Sequence, residues 1–291
     1  MQTVPAAMLF SPCLEASAHI GRRLDSRRTM GQSIDERALT EDFVDFFDSS
    51  SPTSTWGRVA AQLRDEGLYL NTSVRKSTRE SKTGADIGLV IDRSVYKSGF
   101  SSRAQYATLI QCKRIDSNGM VADFYHTVGS SGRKQSSLML DITPSSFYFI
   151  FTPPSLIQVL TNVEPIAFAV SSDGCSSPVW NMGYFGFDST LSLPILSSTQ
   201  RAAATGVLVV PALAVESQGS SGKGASLREI LPNCVPFWYW FGELLIPGFV
   251  GDYSKRTVAV ASNVADRRNE RREEAEEFGV RYSVSVGVGS G

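Results

Sequence analysis

Histidine is the scarcest reactive residue of this 291-residue chain, which contains only His19 and His126. That excludes a histidine-rich metal site and leaves few possible bases for a Ser/His or Cys/His nucleophilic centre. The four cysteines, Cys13, Cys112, Cys175 and Cys234, stand far apart. None of the paired spacings of zinc sites or disulfide frameworks is present, so a reducing, cytoplasmic setting is expected. Net charge is also nearly absent, at -1. Attraction to nucleic acid must therefore come from a local patch and not from the field of the whole molecule. Long apolar runs are lacking too. The strongest, Val235 to Val250, is interrupted by Glu243 and Pro247 and reads as a buried helix, so no membrane partner is expected. The stretch Val4 to Phe10 has no basic leader and makes a poor signal peptide. Gly219 to Gly224 superficially suggests a phosphate loop, but Ser217 stands where the first glycine belongs and Gly224 follows Lys223 where Ser or Thr is required.

What is present is a globular composition, 42% hydrophobic and 20% charged, long enough to bury a substantial core. Residues 1–32, rich in Ala, Ser and Arg, read as a loose, flexible arm. A core follows over 33–154, and 155–291 reads as a C-terminal part packed on that core or continuous with it. Leu39, Phe43, Phe46 and Phe47 have the spacing of one helical face over Asp35 to Asp48, with Thr40 as an alternative N-cap, and a second helix runs from Trp56 to Glu66. Thr72 to Thr78, Ile87 to Asp92 and Tyr106 to Arg114 read as strands, with Arg93 to Gln105 as a polar solvent loop. A short helix over Lys134 to Leu140 precedes the aromatic strand Phe147 to Phe151. Further strands are expected at Pro165 to Val170, Gly206 to Val210 and Val280 to Val288. Helices are expected from Ser226 to Leu231 onward and at Asp266 to Glu277, with a flexible loop at Gln218 to Gly224. This order implies an α/β fold, with α+β the alternative, whose central sheet is covered by helices.

The segment that carries chemistry is Glu80-Ser-Lys-Thr-Gly84-Ala85-Asp86, a turn leading into an apolar strand, followed by a strand that ends Gln111-Cys112-Lys113-Arg114. Strand side chains alternate, so Gln111 and Lys113 share a face and Cys112 points to the other. A carboxylate, a neutral oxygen ligand and a lysine suit phosphodiester hydrolysis. Asp86 supplies the hard anionic oxygen that Mg²⁺ or Mn²⁺ prefers, and the Gln111 side chain or the Cys112 backbone carbonyl completes the coordination. Lys113 orients or deprotonates the attacking water and offsets charge on the phosphoryl oxygens.

These residues resemble the E-xxx-GAD…QAKR pattern of a bacterial branch of the PD-(D/E)XK nuclease superfamily, over residues 35–154. The resemblance implies a restriction-endonuclease-like mixed sheet flanked by helices, with a C-terminal extension, and a Mg²⁺-dependent nuclease acting on DNA or RNA. It also implies an early-helix glutamate, matched by Glu41, and a glutamine on the helix after the lysine, matched by Gln135. Glu80 and Glu41 then join Asp86, Gln111 and Lys113 as catalytic candidates, with Glu41 as a further metal ligand. Gln135, Arg114 and Lys134 become candidates for contacting substrate. The chain departs from the pattern where Ala85 replaces the signature proline, Gln111 the second acid and Cys112 the usual alanine. A nuclease-fold protein that binds nucleic acid or a protein partner without cleaving is the alternative. A third reading is an interaction protein that docks a partner through the aromatic segment Phe237 to Phe241. If the two motif strands pair antiparallel, Asp86, Gln111 and Lys113 must meet at one sheet edge.

Overall fold

Ile87, Leu89 and Ile91 alternate with Gly88, Val90 and Asp92, and Thr108 and Ile110 alternate with Leu109 and Gln111, so each segment presents different side chains to two packing layers. In the computed structural model of the chain these segments lie at the centre of a seven-stranded mixed sheet. The structure describes residues 4, 6–48, 54–77, 83–97, 100–116, 118–121, 123–125, 127–128, 132–157, 168–170, 176–188, 190–192, 203–217, 224–262 and 279–290. The strands are β1 (Leu68–Lys76), β2 (Ile87–Lys97), β3 (Phe100–Arg114), β4 (Ser146–Phe151), β5 (Val207–Pro211), β6 (Val235–Pro236) and β7 (Tyr282–Ser290). Their order is β1-β7-β2-β3-β4-β5-β6. Two contacts are parallel, β7 with β2 and β3 with β4, and the others are antiparallel.

Helices cover both faces. The main ones are α1 (Ala6–Thr29), α2 (Glu36–Asp45), α3 (Thr55–Asp65), α4 (Gln135–Ile142), α5 (Ala212–Ser217) and α6 (Lys255–Ser262). On one face an aromatic cluster joins α2 to β4. Phe43 meets Phe149 and Phe237 edge-on at centroid distances of 5.5 and 5.0 Å, and Phe47 stacks on Trp56 at 5.2 Å. Such pairs add about 0.5–1.5 kcal/mol each beyond their burial. On the opposite face α6 lies so close to β2 that a Cβ at Gly88 would stand 2.3 Å from the Ala261 carbonyl oxygen. With both faces covered, every residue of β4 and β5 is buried, which is why these strands read as continuous apolar runs.

Several expectations are corrected. Residues 6–29 of the expected loose arm form α1, whose buried Leu9, Cys13, Ala16, Ile20 and Leu24 recur at helical spacing and dock on the core. The polar stretch Arg93 to Gln105 is not a solvent loop: β2 and β3 continue through it in register, with Arg93 opposite Ala104 and Lys97 opposite Phe100. Its polarity is met across the ribbon, where Arg103 donates to the Asp92 carboxylate. The terminal strand lies between β1 and β2, so residues from both sides of position 154 share one sheet. Phe237, Trp240 and Phe241 are fully buried in one α-turn and a π-turn (Trp240–Leu245), which removes this segment as a docking surface. The expected loop at 218–223 and the charged helix at 266–277 lie outside the described residues. Among the described residues, no helix is long and apolar enough to cross a membrane.

Candidate functional site

Five elements begin or end at one end of the sheet: β2 starts after Asp86, β7 after Arg281, β3 ends in Gln111 to Arg114, α2 starts at Glu36 and α4 at Gln135. The antiparallel β2/β3 register sets Ile87 opposite Ile110, which brings Asp86 beside Gln111 as the strand reading requires. Backbone bonds hold Asp86 on both sides. Its N–H donates to the Ile110 carbonyl at 2.8 Å, and its carbonyl accepts from the Tyr282 N–H at 2.8 Å. Gly84 shapes the approach. Its φ of +77° suits the left-handed region open to glycine, and a Cβ there would stand 2.9 Å from the Gln135 carbonyl oxygen.

Asp86, Gln111 and Lys113 are all buried, at 8%, 4% and 5% exposure. Asp86 Oδ2 accepts a bond from Gln111 Nε2 at 2.6 Å and one from the Cys112 N–H at 3.1 Å. Arg281 lies 3.5 Å from Oδ1. Burial nevertheless holds the Asp86 carboxyl above its ordinary pKa, against the opposing pull of the Cys112 N–H, Arg281, Lys113 and Gln111.

Lys113 does not face Glu41. Its ammonium lies 3.7 Å from Glu36 Oε1, and Glu36 Oε2 accepts the Arg114 N–H at 3.1 Å. Burial raises the Glu36 pKa, the negative charge of Asp86 raises it further, and Lys113 and Arg114 oppose both. The two carboxylates therefore share one field. Glu36 was missed because a glutamate at a helix start is ordinarily read as opposing the helix dipole. Its position carried a signal: it lies three, four and seven residues before Leu39, Thr40 and Phe43, all buried on α2, so it extends the buried stripe past the end of the sheet.

Glu41 is corrected as a metal-ligand candidate. It accepts bonds from Lys76 Nζ at 2.6 Å and the Tyr282 hydroxyl at 2.9 Å, with Arg37 at 3.7 Å. Hydrogen bonds from Lys76 and Tyr282 hold its pKa below the ordinary glutamate value. The remaining candidates are placed variously. Gln135 borders the site through its main chain at Gly84, and its Oε1 is buried with no hydrogen-bond partner. Lys134 stands over the Tyr125 ring, 5.5 Å from its centroid. Glu80 and His126 lie outside the described residues. Arg281, which the sequence reading did not single out, joins the site because β7 inserts beside β2.

The donor set decides what cation fits. Among the described residues, no group of three or more His, Cys, Asp or Glu side chains could hold a metal. The oxygen-bearing groups near Lys113 are the Asp86 and Glu36 carboxylates, the Gln111 amide and the Cys112 carbonyl, and hard oxygen donors of this type are those that would suit Mg²⁺. The Gln111 amide presents its nitrogen to Asp86 and to the Cys112 carbonyl, 3.1 Å away. Binding a cation there requires the amide to turn and present its oxygen. No protein-family model, curated protein or solved structure matches the chain.

Proposed function

We propose that this protein is a metal-dependent nuclease of the PD-(D/E)XK type, with a restriction-endonuclease-like core, and that Mg²⁺ or Mn²⁺ binds between Asp86 and Glu36. The single observation that carries the reading is the convergence of two carboxylates, Gln111 and Lys113 where β2 begins and β3 ends. The succession of α2, α3, β1, β2, β3, α4 and β4, a helix-led run of three strands followed by a helix and a strand, supports the core assignment. In this chain the C-terminal strand β7 also joins the sheet, between β1 and β2. The metal, when bound, supplies a Lewis acid for the phosphoryl oxygens.

The chain's own residues do the positioning. Lys113, buried at the end of β3, offsets negative charge on the attacked phosphate and orients a water toward it. Glu36 holds Lys113 and, through the Arg114 N–H, fixes the end of β3. Arg281 and the Cys112 N–H keep the Asp86 carboxylate oriented. These last contacts also favour a second reading, a nuclease-fold protein that binds nucleic acid without cutting, because the protein's own donors already meet the Asp86 charge.

Incubation of the purified chain with labelled single- and double-stranded DNA and RNA, with and without Mg²⁺ or Mn²⁺, separates the two. Cleavage that needs metal and disappears in a folded Asp86→Ala variant is the expected result. Ordinary turnover by that variant overturns the assignment, and binding without cleavage selects the second reading.

A further inference from the structure

A cavity of about 290 Å³ opens beside the carboxylate site. It is lined by Arg27 and Arg28 from the last turn of α1, by Arg114 from the end of β3, and by the buried Leu24, Ile34 and Ile115. Arg114 links the cavity to the site, since its backbone N–H is bonded to Glu36 and its neighbour Lys113 is paired with the same carboxylate. Two basic residues in a last helical turn are often there only to oppose the helix dipole. That explanation does not extend to Arg114, which comes from a strand and faces the same space. The acid in the lining, Asp116, is engaged locally: its Oδ1 accepts the backbone N–H groups of Asn118 at 2.8 Å and Met120 at 2.9 Å. Arg27 donates to Gln32 Oε1, and Arg28 donates to Ser155 Oγ at 3.2 Å, itself bonded to Asp25. Both guanidinium groups are thus held at the rim with donors to spare.

We propose that this cavity binds the phosphate and sugar of the nucleotide flanking the bond to be cut, so that the substrate is a polynucleotide held by α1 and β3 together. The inference rests on the nuclease reading for its location but not for its chemistry. Guanidinium forks match phosphate oxygens bidentately, and the apolar wall accepts a sugar or base. The cavity lies near the lower end of ordinary ligand-site volumes, which suits one nucleotide and not a bulkier ligand. In a chain of net charge -1 it is a local patch of the kind that binding requires.

The test measures binding of a fluorescein-labelled single-stranded DNA 12-mer and its RNA counterpart to the full chain in EDTA, where no metal-dependent cutting intervenes. The double variant Arg27→Gln/Arg28→Gln, at exposed positions, should retain its melting temperature. Its affinity should fall at least about tenfold, and the slope of log affinity against log salt should shrink by about 0.7 for the one phosphate no longer neutralised on a single strand. In Mg²⁺ its KM should rise by a similar factor with kcat kept within about threefold. Unchanged affinity and salt slope in the folded variant overturn the proposal. Displacement of the oligonucleotide by inorganic phosphate as readily as by AMP also overturns it, assigning the cavity to free phosphate. If no cleavage is ever seen but the arginines still govern binding, the nuclease reading fails and this site stands. If cleavage depends on Asp86 while binding ignores the arginines, this site alone fails.

Discussion

Glu36 and Glu41 lie five positions apart on α2, at opposite sides of the same sheet end, and meet different surroundings. On the β3 side, Glu36, whose side chain is about as exposed as that of Glu41, lies beside Lys113 and in the field of the Asp86 carboxylate, and packing around it raises its pKa. On the β1/β7 side, Glu41 is partly open to solvent, with Lys76 and Tyr282 as hydrogen-bond donors, and its pKa is lowered. The lesson is that a carboxylate's role follows from which strand end its helix position overhangs. Glu41 is a fully satisfied peripheral contact. Glu36 is half-buried and lies in the field of Asp86, whose charge opposes its ionisation.

The sharpest break in this comparison is catalytic. Glu36→Gln should lower metal-dependent cleavage by at least about a hundredfold, the scale of removing one preorganised electrostatic group, while Glu41→Gln stays within about threefold of wild type. Equal losses in steady-state cleavage assays would erase the distinction between the two sides. Gly84→Ala comes next. It places a Cβ at positive φ and against the Gln135 carbonyl, so chemical denaturation should show a loss of about 1–3 kcal/mol, with cleavage reduced as the Asp86 turn shifts. Gln111→Glu sharpens the comparison by adding a third carboxylate. The metal-free variant should melt lower than wild type through like-charge repulsion, and Mg²⁺ should raise its melting temperature by more than it raises that of wild type. An absence of any Mg²⁺ response in this variant would count against a cation site.

The smallest effects are in the pH dependence of stability, and they have opposite signs. For Glu36 the raised folded-state pKa means that its stabilising contribution is full below the unfolded value and is lost as pH rises through the folded value. Relative to wild type, Glu36→Gln should therefore gain stability as pH rises across that interval. For Glu41 the lowered pKa means a contribution present above the unfolded value and lost as pH falls through the folded one. Glu41→Gln should cost less than about 1 kcal/mol at neutral pH, because solvent screens these exposed partners, and its deficit should vanish in acid. Urea denaturation of the three proteins from pH 3 to 8 checks both signs.

Local sequence was informative wherever a feature depends on neighbours along the chain. The alternation in Ile87 to Ile91 and Tyr106 to Ile110 marked both motif strands, and Gln111 and Lys113 followed onto one face from the period of two. The same logic, applied to α1, would have exposed the stripe from Leu9 to Leu24 that the Ala/Ser/Arg composition of residues 1–32 obscured. Polarity misled at Arg93 to Gln105, since a hairpin ribbon can bond its own backbone and pair its charges across strands, as Asp92 and Arg103 do. A polar stretch is therefore compatible with regular strand.

By itself the sequence determined the central helices and strands, the mixed α/β class and the meeting of Asp86 with Gln111, because hydrophobic period and strand alternation are properties of a few consecutive residues. Tertiary structure decided the rest of the site. Glu36 reaches Lys113 because α2 overhangs the end of β3, Arg281 reaches Asp86 because the last strand inserts between the first two, and Arg27 and Arg28 share a cavity with Arg114 because α1 docks on the core. Each of these contacts joins residues more than seventy positions apart. Such contacts depend on how whole elements pack, and no local window of the sequence carries that information.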